Sequence, residues 1–144
     1  MIDLLKNLIA TQSFSRDESA TADIIEAVLR QNGIEPLRFG NNVVAFPASS
    51  NTKIRVLLNS HHDTVPPGNG WTRDPFTPTV ADGKLYGLGS NDAGGALVMM
   101  LAAFLHFAKR TDLPVEFVFA ATAEEEVSGT NGMALLSREV WSKK

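Results

Sequence analysis

The chain has 144 residues, 13 Lys+Arg against 16 Asp+Glu, a formal net charge of −3, and no cysteine. Hydrophobic residues make up 44% and charged residues 20%, an ordinary globular balance that excludes disorder and a nucleic-acid binder working through a basic surface. Without cysteine there is no disulfide scaffold, thiolate nucleophile or Cys-type zinc site.

In chain order, Met1 to Gln12 predicts a helix, with Ile2, Leu5, Leu8 and Ile9 three and four residues apart. The start lacks the basic-then-apolar layout of a signal peptide, so a cytoplasmic protein is expected. Ser15 followed by Glu18 is a capping-box pattern. The helix after it should bury Ala20, Ile24, Ala27 and Val28, and Gly33 should stop it as a left-handed cap. Ile34 to Phe39 and Asn42 to Phe46 read as strands around a Gly40-Asn41 turn, and Ser49 to Thr52 as another turn.

Lys53 to Asn59 is a nearly continuous apolar run, as expected of a strand buried on both faces. The polar cluster Asn59-Ser60-His61-His62-Asp63 follows it, then a loop from Pro66 to Gly70. The loop residues Trp71, Asp74, Pro75 and Phe76 are expected to pack against the sheet. Asp82-Gly83 marks a hairpin between Val80-Ala81 and Lys84 to Tyr86. Gly94 to Arg110 is a helix apolar nearly all round, which suits packing between layers. Its apolar run, Ala96 to His106, falls short of the ~20 residues that cross a bilayer, so no membrane role is expected. Val115 to Ala121 is a second buried-type strand ending in the polar stretch Thr122 to Glu126, and a further helix starts at Thr130. The order of strands and helices predicts an α/β fold with a mixed, largely parallel sheet flanked by helices. In such sheets ligands bind beyond the carboxyl ends of the strands, where both polar clusters lie.

On an extended chain alternate residues point the same way, so His61 and Asp63 can share a face. A carboxylate bonded to one imidazole nitrogen frees the other for a metal, although a plain polar loop is the competing reading. Asp92 lies in the glycine-rich stretch from Gly87 to Gly95 that enters the long helix. That stretch has neither GxGxxG nor GK[ST], and its Asp would repel a phosphate, so a nucleotide-binding domain is disfavoured. Asp92 could be a helix N-cap or a carboxylate bridging two cations. Glu124-Glu125-Glu126 could be a solvated turn, yet a strand end is a costly place for like charges unless cations balance them. His106, inside the apolar helix, is expected to be structural.

Together these segments resemble the M20 family of metallopeptidases and deacylases. Ser60-His61-His62-Asp63-Thr64-Val65-Pro66 is similar to its small residue–His–x–Asp–x–Val–Pro motif. Trp71 to Phe76, Asp82 to Gly89 and Asp92 are similar to its middle signature, and Thr122-Ala123-Glu124-Glu125-Glu126 to its Thr–x–acidic–Glu–Glu motif. The resemblance implies a zinc-exopeptidase-like fold and two metal ions, usually zinc, with cobalt as an alternative. By resemblance His61 binds one metal, Asp92 bridges both, Glu126 binds the other, Asp63 orients His61, and Glu125 is the general base. A shift of the Glu run by one residue would reassign the last two roles. The peptide bond after the bridging Asp is often cis in the family, which would be Asp92-Ala93 here.

Leu88 stands where many members have Arg, and Ala93-Gly94-Gly95 where Met-Lys-Gly is commoner. Gly87-Leu88-Gly89 is similar to the acetylornithine deacetylase branch, which implies an enzyme that removes the acyl group of an N-acyl amino acid, while the family resemblance at large also implies a small peptide as substrate. Family members also need a further carboxylate ligand and a late His, whereas here only Glu139 is acidic after Glu126 and no His follows His106. The resemblance therefore implies that residues 1–144 are the N-terminal portion of a catalytic domain. The dimerisation domain and C-terminal part would be absent, the chain alone inactive, and the full-length protein a homodimer. The competing expectation is a non-catalytic α/β domain that keeps the fold and binds a partner or a single metal.

Overall fold

In the computed structural model, which describes residues 1–47 and 54–141, the first helix α1 spans Ile2–Ala10 and buries Leu4, Leu5, Leu8 and Ile9. The second, α2, spans Ser19–Gln31. Its buried stripe is Thr21, Ala22, Ile25 and Leu29, with Ala20 and Ala27 exposed. The expected face is thus displaced by one position, because Thr21 turns inward to meet the His62 ring. Gly33, at φ +78°, ends α2 as expected. The N–H of Gly33 donates to the Arg30 carbonyl and that of Ile34 to the Leu29 carbonyl, the paired bonds of a Schellman cap.

The strands are β1 (Leu37–Phe39), β2 (Asn42–Ala45), β3 (Arg55–His61), β4 (Thr79–Ala81), β5 (Lys84–Tyr86) and β6 (Glu116–Thr122). Four of them form a mixed sheet in the order β1-β2-β6-β3. β3 runs parallel to β6, whereas the tight Gly40-Asn41 turn makes β1 and β2 antiparallel and β2 is antiparallel to β6. β4 and β5 make a separate hairpin whose turn residues Asp82 and Gly83 both have positive φ, as a type I′ turn requires. The Ser49 to Thr52 turn lies outside the described residues.

Side chains alternate across β6 and define two cores. Phe119 and Ala121 face the larger one, under α1, α2 and the long helix α3 (Gly94–Phe107). Val118 and Ala120 face a smaller one with Val44 and Leu136, under α4 (Met133–Leu136) and the π-helical turn Ser137–Trp141. β6 is central and almost wholly buried. β3 is not the doubly covered strand expected from its apolar run: it is an edge of the described sheet, with Ile54 and Val56 exposed. α3 likewise buries one face only, through Leu97, Val98, Leu101 and Phe104, and leaves Met99 67% exposed. Among the described residues no helix is long and apolar enough to cross a membrane.

The β3–β6 register positions the polar clusters. His61 is paired with Thr122, so both strands end side by side and release their polar clusters at one place. The His62 N–H then donates to the Thr122 carbonyl, extending the ladder by one bond.

Candidate metal centre

His61, the last residue of β3, sits with Asp92 and Glu126 so that one ligand atom from each lies within 4.8 Å of the others. Asp92 stands just before α3, and Glu126 in the turn after β6. The His61 Nε2 is 3.1 Å from Asp92 Oδ1 and 3.7 Å from a Glu125 oxygen. Asp92 is not the N-cap of α3; that position is Ala93, and no side chain caps the helix. The Asp92–Ala93 peptide bond is cis. Gly94 lets the helix start close to the preceding turn, since a Cβ there would lie 2.6 Å from the Gly89 carbonyl oxygen.

Asp63 organises the cluster from beneath. Its side chain is fully buried. Its backbone carbonyl is 3.0 Å and its Oδ1 3.4 Å from His61 Nδ1, which leaves Nε2 facing Asp92. The Glu125 N–H donates to Oδ1, the Glu126 N–H to Oδ2, each at 3.1 Å, and the Ser15 hydroxyl donates to Oδ2 at 2.7 Å. Burial opposes the charge of this carboxylate, but the donors from His61, Ser15 and the Glu125 and Glu126 backbone outweigh it and hold the carboxyl down at about 2. The same pairing with Asp63 raises His61 to about 9, against the effect of burial. Burial and the surrounding carboxylates raise Glu126 despite the attraction of His61.

The Ser15–Glu18 pattern is not a capping box here. Ser15 bonds Asp63, α2 begins at Ser19, and Glu18 makes no side-chain cap bond. Glu18 is instead fully buried and accepts from the Arg16 N–H, the Asn41 amide and the Glu124 N–H. Asn42 bridges further: its Oδ1 accepts from the Ala123 N–H and its Nδ2 donates to the Asn131 carbonyl. Glu124, also buried, accepts from the Asn131 amide at 2.9 Å. The three glutamates therefore differ in kind: Glu124 points down into a hydrogen-bonded network, while Glu125 and Glu126 remain near His61. Sequence gives Ser15, Glu18, Asn41 and Asn42 only local roles in a cap, a turn and a strand, because nothing in their spacing points to partners so distant in the chain.

His62 faces away from the cluster. Its Nε2 donates to the Asn41 carbonyl and its Nδ1 meets the Thr21 hydroxyl at 2.9 Å; burial lowers its pKa. A neutral ring protonated on Nε2 satisfies both contacts. His106 lies exposed on α3, edge-on to Phe107 and away from the site, in keeping with a structural role. Trp71, expected to pack on the sheet, is 42% exposed and lines a cavity of about 310 Å³ together with Val65, Leu88, Asp92 and Glu126. Phe76 packs on Phe14, 6.1 Å between ring centres.

The architecture is that of a metallopeptidase catalytic fold. Residues 57–143 match the family described as Peptidase family M20/M25/M40, and the chain belongs to that family. It is 37% identical over 139 residues to succinyl-diaminopimelate desuccinylase of Wigglesworthia glossinidia brevipalpis, a match covering 92% of this chain and 36% of that protein. It superposes on human carnosine dipeptidase 1 with a TM-score of 0.79 at 25% identity, covering 96% of this chain and 34% of that one. It also superposes on an M20 family metallo-carboxypeptidase from Sulfolobus solfataricus, with a TM-score of 0.75 at 25% identity, covering 88% and 31%. The chain thus spans about a third of the length of the proteins it matches.

Proposed function

We propose that the chain is the metal-holding N-terminal portion of an amidohydrolase that cleaves the amide of an N-acyl amino acid or a small peptide. The observation that carries this is the convergence of His61, Asp92 and Glu126 within 4.8 Å at the paired ends of β3 and β6. The donor set, one imidazole and two carboxylates, fits zinc, with cobalt as an alternative. The orientation of His61 supports the fit, since Asp63 engages Nδ1 and leaves Nε2 to the cluster. In the complete protein Asp92 would be shared by two ions. When bound, such ions acidify water and polarise an amide carbonyl.

The chain's own groups then have distinct tasks. His61 would hold one ion, Glu126 the other, and Asp92 would serve both. Asp63 keeps the His61 ring in place and, through the Glu125 and Glu126 N–H groups, fixes the turn that carries both glutamates. Glu125, with its side chain 59% exposed and one oxygen 3.7 Å from His61 Nε2, would take a proton from attacking water and pass it to the leaving amine. Segments beyond this chain would supply the remaining ligands and a homodimer contact, so the chain alone should be inactive.

Zinc calorimetry on the chain and its variants tests this reading. Glu126→Gln should weaken zinc binding at least tenfold, and Glu125→Gln should leave it within a factor of about two. Loss of zinc in Glu125→Gln with retention in Glu126→Gln would reverse the two assignments. Equal zinc binding in the parent chain and in His61→Ala would favour a non-catalytic domain.

A further inference from the structure

Thr64 directly follows the buried Asp63, and its Oγ1 is itself buried. Among the described residues it is the one buried side-chain polar atom that finds no hydrogen-bond partner. The backbone here is fixed, since the Thr64 N–H donates to the Ser13 carbonyl at 2.8 Å. The Thr64 methyl group is wedged against Gly89, where an added Cβ would come within 2.8 Å of it. Backbone and methyl together hold the side chain in place. A buried hydroxyl gives up its hydration on folding, and native proteins almost always return a partner to it.

Thr64 also lines a small cavity of about 20 Å³. One water needs ~10–15 Å³, so the space suits a single molecule. Leu8, Ile9 and Leu97 form its apolar side, and Ser13, Thr64 and Gly89 bring polar groups to it. The Ser13 carbonyl accepts from the Thr64 N–H and the Gly89 carbonyl from the Gly94 N–H, which leaves each a second lone pair. Ala93 and Gly94 border the same cavity, so it lies between the exit of β3 and the turn that enters α3.

We propose that Thr64 holds one buried water in this cavity, and that the water ties the turn carrying Asp92 to the strand exit carrying His61. The water accepts from the Thr64 hydroxyl and donates to the Ser13 and Gly89 carbonyls, about the three bonds usual for a buried water. The Asp92 side chain is 78% exposed, so the backbone from Gly89 to Gly94 sets where it stands. One direct tie from the strand to that backbone is the 3.3 Å bond from the Ser60 hydroxyl to the Ala93 carbonyl. A bridging water adds another, nearly as strong as a direct bond. Thr64 is thereby a positioning residue for Asp92. The consequence for the metal cluster rests on the metal-holding reading above, whereas the water site does not.

Thr64→Val tests this, because it removes the hydroxyl and keeps the shape. Oxygen-17 relaxation dispersion on the metal-free chain counts its long-lived waters. The count should fall by one in Thr64→Val and recover in Thr64→Ser. Hydrogen exchange of the Gly94 amide, which donates to the Gly89 carbonyl, should quicken about threefold or more in Thr64→Val and return to within a factor of about two in Thr64→Ser. Zinc affinity should fall and recover in the same order. An equal water count in the parent and Thr64→Val would overturn the proposal. So would a melting temperature of Thr64→Val above the parent's, since removing an unpaired hydroxyl stabilises and removing a paired one does not. Loss of the water with unchanged Gly94 exchange, or with unchanged zinc affinity, would overturn the positioning role. If the parent chain binds no zinc while the water count and Gly94 exchange respond as expected, the metal-holding reading fails and the water site stands.

Discussion

The buried Glu18 carboxylate accepts a hydrogen bond from the Glu124 N–H at 3.1 Å, joining residues 106 positions apart. Glu124 has φ +55°, and Glu18 is the side chain that secures its amide at the mouth of the acidic turn. Two further donors, from Arg16 and Asn41, converge on the same carboxylate. Replacing Glu18 by Ala leaves buried donors without an acceptor. The expected loss is about 3 kcal/mol of stability by urea denaturation. Zinc affinity should fall with it, because the turn carrying Glu126 loses an anchor.

Ser15→Ala removes one of the three donors that face the Asp63 oxygens besides His61. Stability should drop by only about 1 kcal/mol. Ser15→Thr, which keeps the hydroxyl, should recover zinc affinity where Ala does not. Equal zinc affinity in all three would show that the hydroxyl does not contribute to positioning.

Without metal, His61 and His62 should titrate far apart despite being adjacent. His61 is raised to about 9 by its pairing with Asp63, and His62 is lowered by burial. The folded-state value of His61 exceeds the ~6.5 of an unfolded chain, so its contribution to stability is complete below that pH and lost as pH rises through about 9. Asp63, held at about 2, contributes above its unfolded value of ~3.9 and loses that contribution as pH falls toward 2. The urea midpoint of the metal-free chain should therefore decline on both sides of a weakly acidic plateau. The alkaline decline should vanish in His61→Ala. Imidazole carbon resonances followed by NMR give the individual titrations.

Gly132→Ala should be destabilising by about 1–3 kcal/mol, because an added Cβ would collide with the Ala123 carbonyl oxygen, which is backbone and cannot turn aside. Gly68→Ala, where a Cβ meets nothing within 4 Å, serves as the control. Thermal unfolding of the two variants measures the difference.

The parts legible in sequence are those that local physics determines. Two apolar runs, each ending in polar residues, locate β3 and β6 and the rim between them. Positive-φ signals at Gly33, Gly40 and Asp82-Gly83 mark a helix end and two hairpins, all present. What was not legible depends on distant partners. Ser15 and Glu18 have the spacing of a capping box, and only the Phe14–Thr64 bridge, which aligns that loop with the strand exit, shows why they serve Asp63 and Glu124 instead. The inward face of α2 slipped by one position because alanine tolerates either side, whereas buried Thr21 is recognisable only once His62 is seen beside it. The exposure of β3 follows from its neighbours in the sheet, which its own composition does not encode.

The pairing of His61 with Thr122 also sets an order of events. His61 meets Asp92 across 31 residues, and Glu126 joins them only when the strand ends His61 and Thr122 pair, so the chain must close two long loops to complete the cluster. A register error of one residue would turn His61 to the opposite face of the sheet. Ion capture would thus be a late folding event, and the appearance of zinc binding during refolding would time the moment at which the central strand and its neighbour lock into alignment.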